Sequence, residues 1–488
     1  MQRKSGLAPA HNVRSSLSQA ALRHCKFVAR CVLFLTLLLN VSGCGREQEL
    51  TDSMESSDIS DSMLAEEQMM SEGEMLPGRS DPRQINGVRA TKGEPFVLQV
   101  LDEEANPVLN RRLLSLSEIS AGWISLFDGT TLFGWESQNP DVNWKVEDGA
   151  ITADVGPEGL LTTTVPFSDF ELICEFRISE GGNSGLFLRS LKHPQDLQKD
   201  CIELNIANKH PDGYTTGSFV ARKKTDRIAE PSTDWQTLRV VANRGHYYVD
   251  LNGTEILAYT DTSPDARQQG FIGLQQRIGK VEFRKVVLKP SQLTSIFTGQ
   301  DLEGWQVVPE SKGKFIAEDG CIRVRGGTGF LETKRTYQDF LLQAVVRTGV
   351  PETNSGIFLR AEPGTAQAPS NGYEVQIHNG IHDNDRDRPN NAGSGAIFRR
   401  VEARRVVASD REWYTMSILA YGPRFAVWVD GYQVVDWVDQ RPANTNPRKG
   451  LRLDAGHISL QGHDPTTDCE FRELRIQEFQ KTATPIPQ

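Results

Sequence analysis

The heptapeptide NSGLFLR at residues 183–189 returns, with one change, as NSGIFLR at residues 354–360. A later block, GFIGLQ at residues 270–275, returns as GHISLQ at residues 456–461. The offset between the copies begins near 170 residues and then widens, so the second copy carries insertions. A period this long is too long for a solenoid repeat and indicates a duplicated domain.

Both copies consist of short runs in which apolar and polar residues alternate. FELICEFR at residues 170–177 and FAVWVDG at residues 425–431 are examples. Runs of this kind, separated by Gly and Pro turn signals, are typical of antiparallel β-sandwiches. The predicted fold class is therefore all-β, with sandwiches over residues 119–290 and 291–481 and a short tail at 482–488.

Composition limits the kind of partner. The chain has 488 residues and a formal net charge of −10, with 54 Lys and Arg against 64 Asp and Glu. Nucleic-acid binding needs a basic face, so we expect no nucleic-acid partner. The apolar fraction of 38% argues against wholesale disorder. No oligomeric state follows from these numbers.

The N-terminal 44 residues have the pattern of an export signal. Basic residues precede a short apolar run at residues 32–39, and Val41-Ser42-Gly43-Cys44 follows. About 20 apolar residues are needed to span a bilayer, so this run predicts a signal peptide rather than an anchor helix. Small residues ending in Cys resemble a bacterial lipobox, which implies lipidation of Cys44. An ordinary secretory signal with an incidental cysteine is the alternative.

This interpretation predicts an exported lipoprotein of the cell envelope, at the outer membrane or the periplasmic face, that contacts the membrane only through its lipid anchor. Residues 45–118 are predicted to be a disordered acidic tether, because residues 45–80 are too polar to offset their ordering entropy. They include one strand-like run, at residues 96–101. The exported compartment permits disulfides, and Cys321 and Cys469 could pair, which the sequence leaves open.

The ordered motifs of the two copies resemble a known family. F-x-G-x-x-L-x-G-W occurs at residues 127–135 and 297–305, E-D-G at 147–149 and 318–320, and GYEVQI at 372–377. Together with the repeated heptapeptide, they resemble the 3-keto-disaccharide hydrolase family, also called 3-keto-glucoside 1,2-lyase/3-keto-2-hydroxy-glucal hydratase. The resemblance implies two concanavalin A-like jelly rolls and a carbohydrate substrate.

The resemblance also implies a reaction. A ketone at C3 of the sugar acidifies the hydrogen on C2, a base removes it, and the C1 glycosidic oxygen leaves from the enolate. Water then adds to the hydroxy-glucal, so the net outcome is hydrolysis. The site needs a base with a pKa near neutrality and a cation or metal for the enolate oxygen.

Strand alternation suggests which side chains share a face. In the second copy the polar face would carry Asn354, Phe358, Arg360, Glu374, Gln376 and His378. We take His378 as the first candidate for the base, Glu374 as the second, and Arg360 as the candidate for the enolate oxygen. Asn354, Phe358 and Gln376 would bind the sugar. A purely solvated face is the alternative.

The first copy matches this pattern only in part. Glu203, Asn205 and Ala207 align with Glu374, Gln376 and His378, so the first copy lacks the histidine. The second copy is therefore predicted to be the active one. In the first copy, Arg189, Glu203 and Asn205 are predicted to bind sugar, and that copy is degenerate or purely binding.

A loop after His378 carries Asp383, Asp385 and Asp387, which could offer hard oxygens to Ca²⁺. It lacks the Gly and Glu of an EF-hand, and its interleaved arginines could instead neutralise the carboxylates. No other cofactor is predicted.

Three rival functions remain at this stage: a glycan-binding lectin pair, a protein-binding scaffold, and a glycosidase with two carboxylates. The lectin pair is the main alternative.

Overall fold

The computed structural model describes residues 113–367, 371–446 and 448–480. The predicted signal peptide, the lipidated Cys44, the tether up to residue 112 with its strand-like run, and the tail at 482–488 lie outside the described residues. Within them, no helix combines the length and the apolar character needed to cross a bilayer.

The described chain begins with one short helix, α1 (Leu116–Ser120), and continues as strands. The first copy contains β1 (Ile124–Ser125), β2 (Trp135–Ser137), β3 (Lys145–Glu147), β4 (Ala150–Ala153), β5 (Gly159–Thr163), β6 (Phe170–Ile178), β7 (Asn183–Ser190), β8 (Ile202–Ala207), β9 (Gln236–Asn243), β10 (His246–Leu251), β11 (Thr254–Thr260), β12 (Phe271–Ile278) and β13 (Val281–Pro290). The second copy contains β14 (Thr294–Ser295), β15 (Trp305–Val307), β16 (Lys314–Glu318), β17 (Cys321–Arg325), β18 (Gly329–Thr333), β19 (Phe340–Thr348), β20 (Ser355–Ala361), β21 (Tyr373–Ile377), β22 (Ile381–His382), β23 (Asp385–Pro389), β24 (Tyr414–Tyr421), β25 (Arg424–Val429), β26 (Tyr432–Val438), β27 (His457–Gly462) and β28 (Asp468–Glu478).

The two copies have the same sheet topology. In the first, an eight-stranded sheet has the order β11-β10-β9-β6-β13-β4-β3 with β1 added on β13, and a five-stranded sheet has the order β2-β5-β12-β7-β8. In the second, the corresponding orders are β26-β25-β24-β19-β28-β17-β16 with β14 on β28, and β15-β18-β27-β20-β21. The prediction of two tandem jelly-roll sandwiches is confirmed. Among the strands of the described residues, the hairpin β22–β23 is the addition to the second copy.

Strand β6 shows how alternation builds the first sandwich. Every second residue from Phe170 to Ile178 is buried in the core between the sheets. Three of the four outward side chains are charged and pair across strands, as Glu171 does with Arg239 at 2.7 Å, whereas Ile173 packs against a small apolar cluster. This face of the first eight-stranded sheet is therefore a solvated ladder of ion pairs, and each exposed pair contributes little to stability.

The equivalent strand of the second copy, β19, is buried on both faces. Its outward residue Leu341 and the neighbouring Trp428 belong to the core cluster of the first copy. Trp428 donates from Nε1 to the carbonyl oxygen of Ser125 at 3.0 Å, and Gln343 donates to the carbonyl oxygen of Gly122 at 2.8 Å. The part of this outer face around Leu341, Gln343 and Trp428 is thus covered by the first copy.

The last residues of the predicted tether are folded, which corrects the prediction of disorder for residues 113–118. Ser115 and Glu118 form a reciprocal capping box that starts α1. Leu114 and Ile119 are buried together with Trp123 in a small apolar cluster. The buried apolar residues and the helix cap give residues 113–118 a defined structure. Disorder remains the prediction for the acidic stretch before them.

Cys321 and Cys469 do not form the disulfide that the sequence left open. Both are buried free thiols. In the register between β17 and β28, Cys469 lies opposite Val324, three residues along the strand from Cys321. Three residues span about 10 Å of strand, which is longer than the Cα separation that a disulfide tolerates.

Candidate active site

The five-stranded sheet of the second copy turns one side toward the core and the other side away from it. The side away from the core carries Phe330, Phe358, Glu374, Gln376 and Gln461, which we call the polar face. Strand register brings them together: Phe358 lies opposite Glu374, Gly356 opposite Gln376, and Phe330 opposite Gln461. This surface is therefore built by four neighbouring strands, in the order β18, β27, β20 and β21.

Glu374 and Gln461 converge above Gly356, a position without a side chain. A Cβ atom placed there would lie 3.0 Å from Cγ and 3.1 Å from Oε1 of Glu374, and 3.4 Å from Oε1 of Gln461. The glycine thus allows both side chains to lie close together over the sheet, because any larger residue would crowd them. Sequence reasoning missed Gln461, although the repeated block that ends at Gln275 and Gln461 was a signal for it.

The electrostatics of Glu374 suit proton transfer. Burial raises the pKa of Glu374 to about 7, while the positive charges of Arg448 and Arg399 act in the opposite direction. A carboxyl group with this pKa is part ionised at neutral pH, so it can both accept and return a proton.

The two amides of the polar face have unused hydrogen-bonding capacity. Gln376 donates from Nε2 to Oδ1 of Asn354 at 3.3 Å and to the carbonyl oxygen of Asn391 at 3.2 Å. Its own Oε1 and that of Gln461 are buried and lack a partner among the described residues. Buried polar atoms usually have partners, so these oxygens retain the capacity to accept a further hydrogen bond.

An aromatic pair forms the apolar part of the polar face. The rings of Phe330 and Phe358 contact edge to face, with centroids 5.2 Å apart. They form a cluster with Val308 and Ala361 that is separate from the core of the sandwich. An apolar floor beside a few fixed polar groups is the usual composition of a small-ligand site.

His378 follows directly after the end of β21. It is four positions beyond Glu374, which corresponds to about 13 Å along a strand. Its Nδ1 accepts a hydrogen bond from the backbone N–H of Gly380 at 3.2 Å, and burial lowers the pKa of its imidazole. Glu374 and His378 therefore cannot serve the same C–H bond, and the geometry favours Glu374 as the base.

Arg360 does not belong to the polar face, and its predicted role at the enolate oxygen is wrong. It has a φ of 51°, in an irregular stretch of β20 between Phe358 and Ala361. The guanidinium carbon lies 5.4 Å from the ring centre of the core residue Phe425, and the side chain is fully buried. Its acceptors, at 2.6–2.8 Å, are the carbonyl oxygens of Gln338, Gly422 and Arg452 and the carboxylate of Asp339. It is a structural residue on the opposite side of the sheet from Glu374.

Arg189 repeats this arrangement in the first copy and likewise cannot bind sugar where it lies. It is fully buried and has a φ of 49°. Its partners, at 2.7–3.2 Å, are the carbonyl oxygens of Ser168 and Arg267, the hydroxyl of Tyr247 and the carboxylate of Asp169. Each sandwich therefore contains an equivalent buried arginine that donates to backbone carbonyls and to one aspartate.

The predicted calcium ligands do not converge. Asp383 pairs with Arg388, and Asp387 accepts from Arg405 at 2.6 Å. Asp385 accepts from the backbone N–H of Asp387 within the β22–β23 hairpin. Arginine pairing, the alternative that the sequence left open, is what the structure shows. No group of three or more metal-ligating side chains occurs in the part of the chain that the structure describes.

The first copy retains the same central arrangement in a more closed form. A Cβ atom at Gly185 would lie 3.4 Å from both Gln275 and Glu203, and burial raises the pKa of Glu203 to about 7. However, Glu203 is only 1% exposed, and Gln275 donates its amide to Glu158 at 3.0 Å. Asn205 is also buried and donates to the carbonyl oxygen of Tyr214. The chain itself thus occupies the amide N–H groups of Gln275 and Asn205, while both carboxylate oxygens of Glu203 are buried without a partner among the described residues.

The duplicated sheets and the polar face define a tandem jelly-roll β-sandwich with an acid–amide cluster on the small sheet of each copy. The chain belongs to the family of the 3-keto-alpha-glucoside-1,2-lyase-like domain, whose sequence model matches residues 122–289 and 292–477.

A curated relative is the 3-keto-disaccharide hydrolase of Bacteroides thetaiotaomicron. It is 38% identical over an alignment of 234 residues, which covers 36% of this chain and 81% of the relative.

Among solved structures, a proposed glycosyl hydrolase from Parabacteroides distasonis is 21% identical with a TM-score of 0.34, and the match covers 37% of this chain and 99% of that one. A carbohydrate-binding module from Bacillus subtilis is 16% identical with a TM-score of 0.25, covering 32% and 95% of the two chains.

Proposed function

We propose that the second copy cleaves 3-keto-glycosides, with Glu374 as the group that transfers the proton. The convergence of Glu374 and Gln461 above Gly356 carries this proposal. It is supported by family membership and by the name of the curated relative. The sequence favoured His378 as the base. We assign this role to Glu374 instead, because Glu374 lies beside the amides of Gln376 and Gln461 and beside the aromatic pair.

The reaction follows from the acidity of the C2 hydrogen next to a C3 ketone. The ionised carboxylate of Glu374 takes this proton, and the electron pair forms an enolate. When the enolate collapses, the C1–O bond breaks and the aglycone leaves with a proton that Glu374 can supply. Water then adds its oxygen to C1 and a hydrogen to C2, so that the net reaction is hydrolysis.

Gln461 is the described group best placed to act on the enolate oxygen. Its amide lies beside Glu374 above Gly356 with Oε1 toward that position, and a half-turn of the amide would present its N–H group to an oxygen on which charge develops. Gln376, tied to Asn354, would hold a sugar hydroxyl through its unpartnered oxygen. Phe358 and Phe330 would support an apolar side of the sugar ring.

The experiment is to incubate the purified full chain with a 3-keto-disaccharide and follow release of both sugars. Turnover is the expected result. Saturable binding to glycans without turnover would instead identify a lectin-like protein and contradict the proposal.

The pH dependence of turnover provides a further prediction. Glu374 must be ionised to accept the proton, and its ionised fraction rises with pH through a pKa of about 7. Below that value kcat/KM should therefore fall by about tenfold per pH unit, and above it the rate should level off. An ordinary glutamate would place the midpoint near 4.3.

The measurement is a kcat/KM profile from pH 5 to 9 for the wild type and for His378→Asn. The acidic limb should be the same in both. A midpoint between pH 4 and 5, or a limb that disappears in His378→Asn, would contradict the assignment to Glu374.

We also propose that the protein is anchored in the bacterial envelope through Cys44. Cys44→Ser should move the protein from the membrane fraction to the soluble fraction, because lipidation needs the thiol. Immunoblotting of separated fractions is the measurement, and Cys31→Ser, within the same predicted signal, is the control. Unchanged membrane association of Cys44→Ser would argue against the anchor.

A further inference from the structure

Three arginines border Glu374 at one end of the polar face. We call Arg399, Arg400 and Arg448 the basic rim. The backbone N–H of Phe398 donates to the carbonyl oxygen of Glu374 at 2.9 Å, so the loop that carries Arg399 is attached to β21 beside the carboxylate. Arg400 donates to the carbonyl oxygens of Arg399 at 3.0 Å and Arg448 at 2.7 Å. Arg400 thus ties the two loops together and holds Arg399 and Arg448 at the same end of the face.

The first copy lacks the arginine at the first of these positions. The backbone bridge between Ile397 and Val401 corresponds to the bridge between Phe219 and Lys223, so Arg399 takes the place of Ala221. The two positions share a left-handed backbone, with φ of 61° and 57°. The arginine is therefore a change of side chain on an unchanged loop.

Arg448 belongs to an insertion. In the second copy residues 440–455 connect Asp439 to the block that begins at Gly456, whereas residues 262–269 make the equivalent connection in the first copy. The longer connection carries Arg448 to a place where its charge acts on Glu374. Both features that bring positive charge to this site are thus specific to the second copy.

The charge of the basic rim is distinctive for this chain. The protein has a net charge of −10, yet the two loops beside Glu374 carry three arginines, of which Arg399 and Arg448 act on the charge of its carboxylate. Arg399 and Arg448 each expose part of their surface to solvent, although partial burial lowers the pKa of Arg448. Guanidinium groups bind carboxylate, sulfate and phosphate oxygens with two parallel hydrogen bonds, which makes such a pair a receptor for an oxyanion.

We propose that the second copy selects glycosides that carry an anionic group, a carboxylate or a sulfate ester, and that Arg399 and Arg448 bind this group while the sugar hydroxyls face Gln376 and Gln461. The inference deepens the proposed function, because it rests on the polar face being the sugar site. It adds a charge requirement that the reaction itself does not impose.

The test measures binding separately from turnover. Isothermal titration of the full chain uses methyl glucoside, methyl glucuronide and methyl glucoside 6-sulfate, none of which is a keto-sugar. At 50 mM salt the wild type should bind at least one of the two anionic sugars about tenfold more tightly than the neutral one. The preference should shrink at 500 mM salt because the charges are screened.

The variants decide whether the basic rim is responsible. Arg399→Ala introduces the residue that the first copy has at this position, and it should reduce the preference for the anionic sugar to about threefold. The double variant Arg399→Ala/Arg448→Ala should abolish this preference. Arg411→Ala is the matched control, because Arg411 is also exposed and has a φ of 67° but sits in the loop attached to Thr348. It should bind like the wild type.

Equal affinity for neutral and anionic sugars in the wild type would overturn the inference, as would a preference that survives in the double variant. Neither result depends on turnover. A protein that prefers the anionic sugar but does not cleave keto-glycosides would retain this inference and contradict only the proposed reaction.

Discussion

Replacing Glu374 with glutamine should lower kcat/KM for a 3-keto-disaccharide by about 10³-fold, while the protein remains folded. The amide keeps the shape of the side chain but cannot accept the C2 proton, and general-base catalysis contributes about 10²–10⁴-fold. Steady-state kinetics at pH 8, where the wild-type carboxylate is ionised, is the measurement.

Stability should not suffer in this variant. The folded-state pKa of Glu374 is raised above its unfolded value, so ionisation of the buried carboxylate opposes folding as pH rises through that interval. Glutamine removes this penalty, and thermal unfolding at pH 8 should therefore occur at the wild-type temperature or above it.

Glu203→Gln is the matched control, because the first copy places the same carboxyl beside the same glycine and amide. The first copy's amide is already bound by Glu158, so this variant should keep most of the activity. If Glu203→Gln abolishes turnover and Glu374→Gln does not, the active copy has been assigned wrongly.

Replacing Arg360 with alanine should reduce the free energy of unfolding by about 3–5 kcal/mol. The side chain is fully buried, and its removal would leave the carboxylate of Asp339 and carbonyl oxygens such as that of Gly422 without their donor. Breaking one side of a buried ionic network has a cost of this size. Urea unfolding followed by tryptophan fluorescence is the measurement.

Arg189→Ala should reduce the free energy of unfolding by a similar amount, because Arg189 forms the equivalent ion pair with Asp169 in the first copy. Arg360→Lys provides a milder variant that retains the charge. It should lower stability less than alanine, and its folded fraction should turn over substrate with the wild-type kcat. A stable Arg360 variant with severely reduced kcat would restore the catalytic role that the structure removes.

The fold was predictable because its evidence is local and repeated. Alternation in β6 identifies a strand with one buried face, and the duplicated motifs show that the two copies share a topology. The large contact between the copies was not predicted, although a signal exists. Outward positions that hold Glu171 and Glu175 in β6 hold Leu341 and Val345 in β19, and an apolar outer face needs a cover.

The candidate site was only partly predictable. Glu374, Gln376 and Phe358 follow from simple alternation along two strands. Arg360 does not, because the irregularity in β20 and its positive φ turn the side chain to the core, and no sequence pattern marks an arginine for that conformation. Gln461 lies on a strand that is distant from β21 in the sequence, so its place beside Glu374 depends on the order of strands in the sheet.

The most direct test of the central claim is a crystal structure of the Glu374→Gln variant with a 3-keto-disaccharide bound. The keto-sugar ring should lie above Gly356, with C2 facing the side chain of residue 374 and the C3 oxygen within hydrogen-bond distance of Gln461. A substrate bound with its ketone at His378, or on the small sheet of the first copy, would contradict the account.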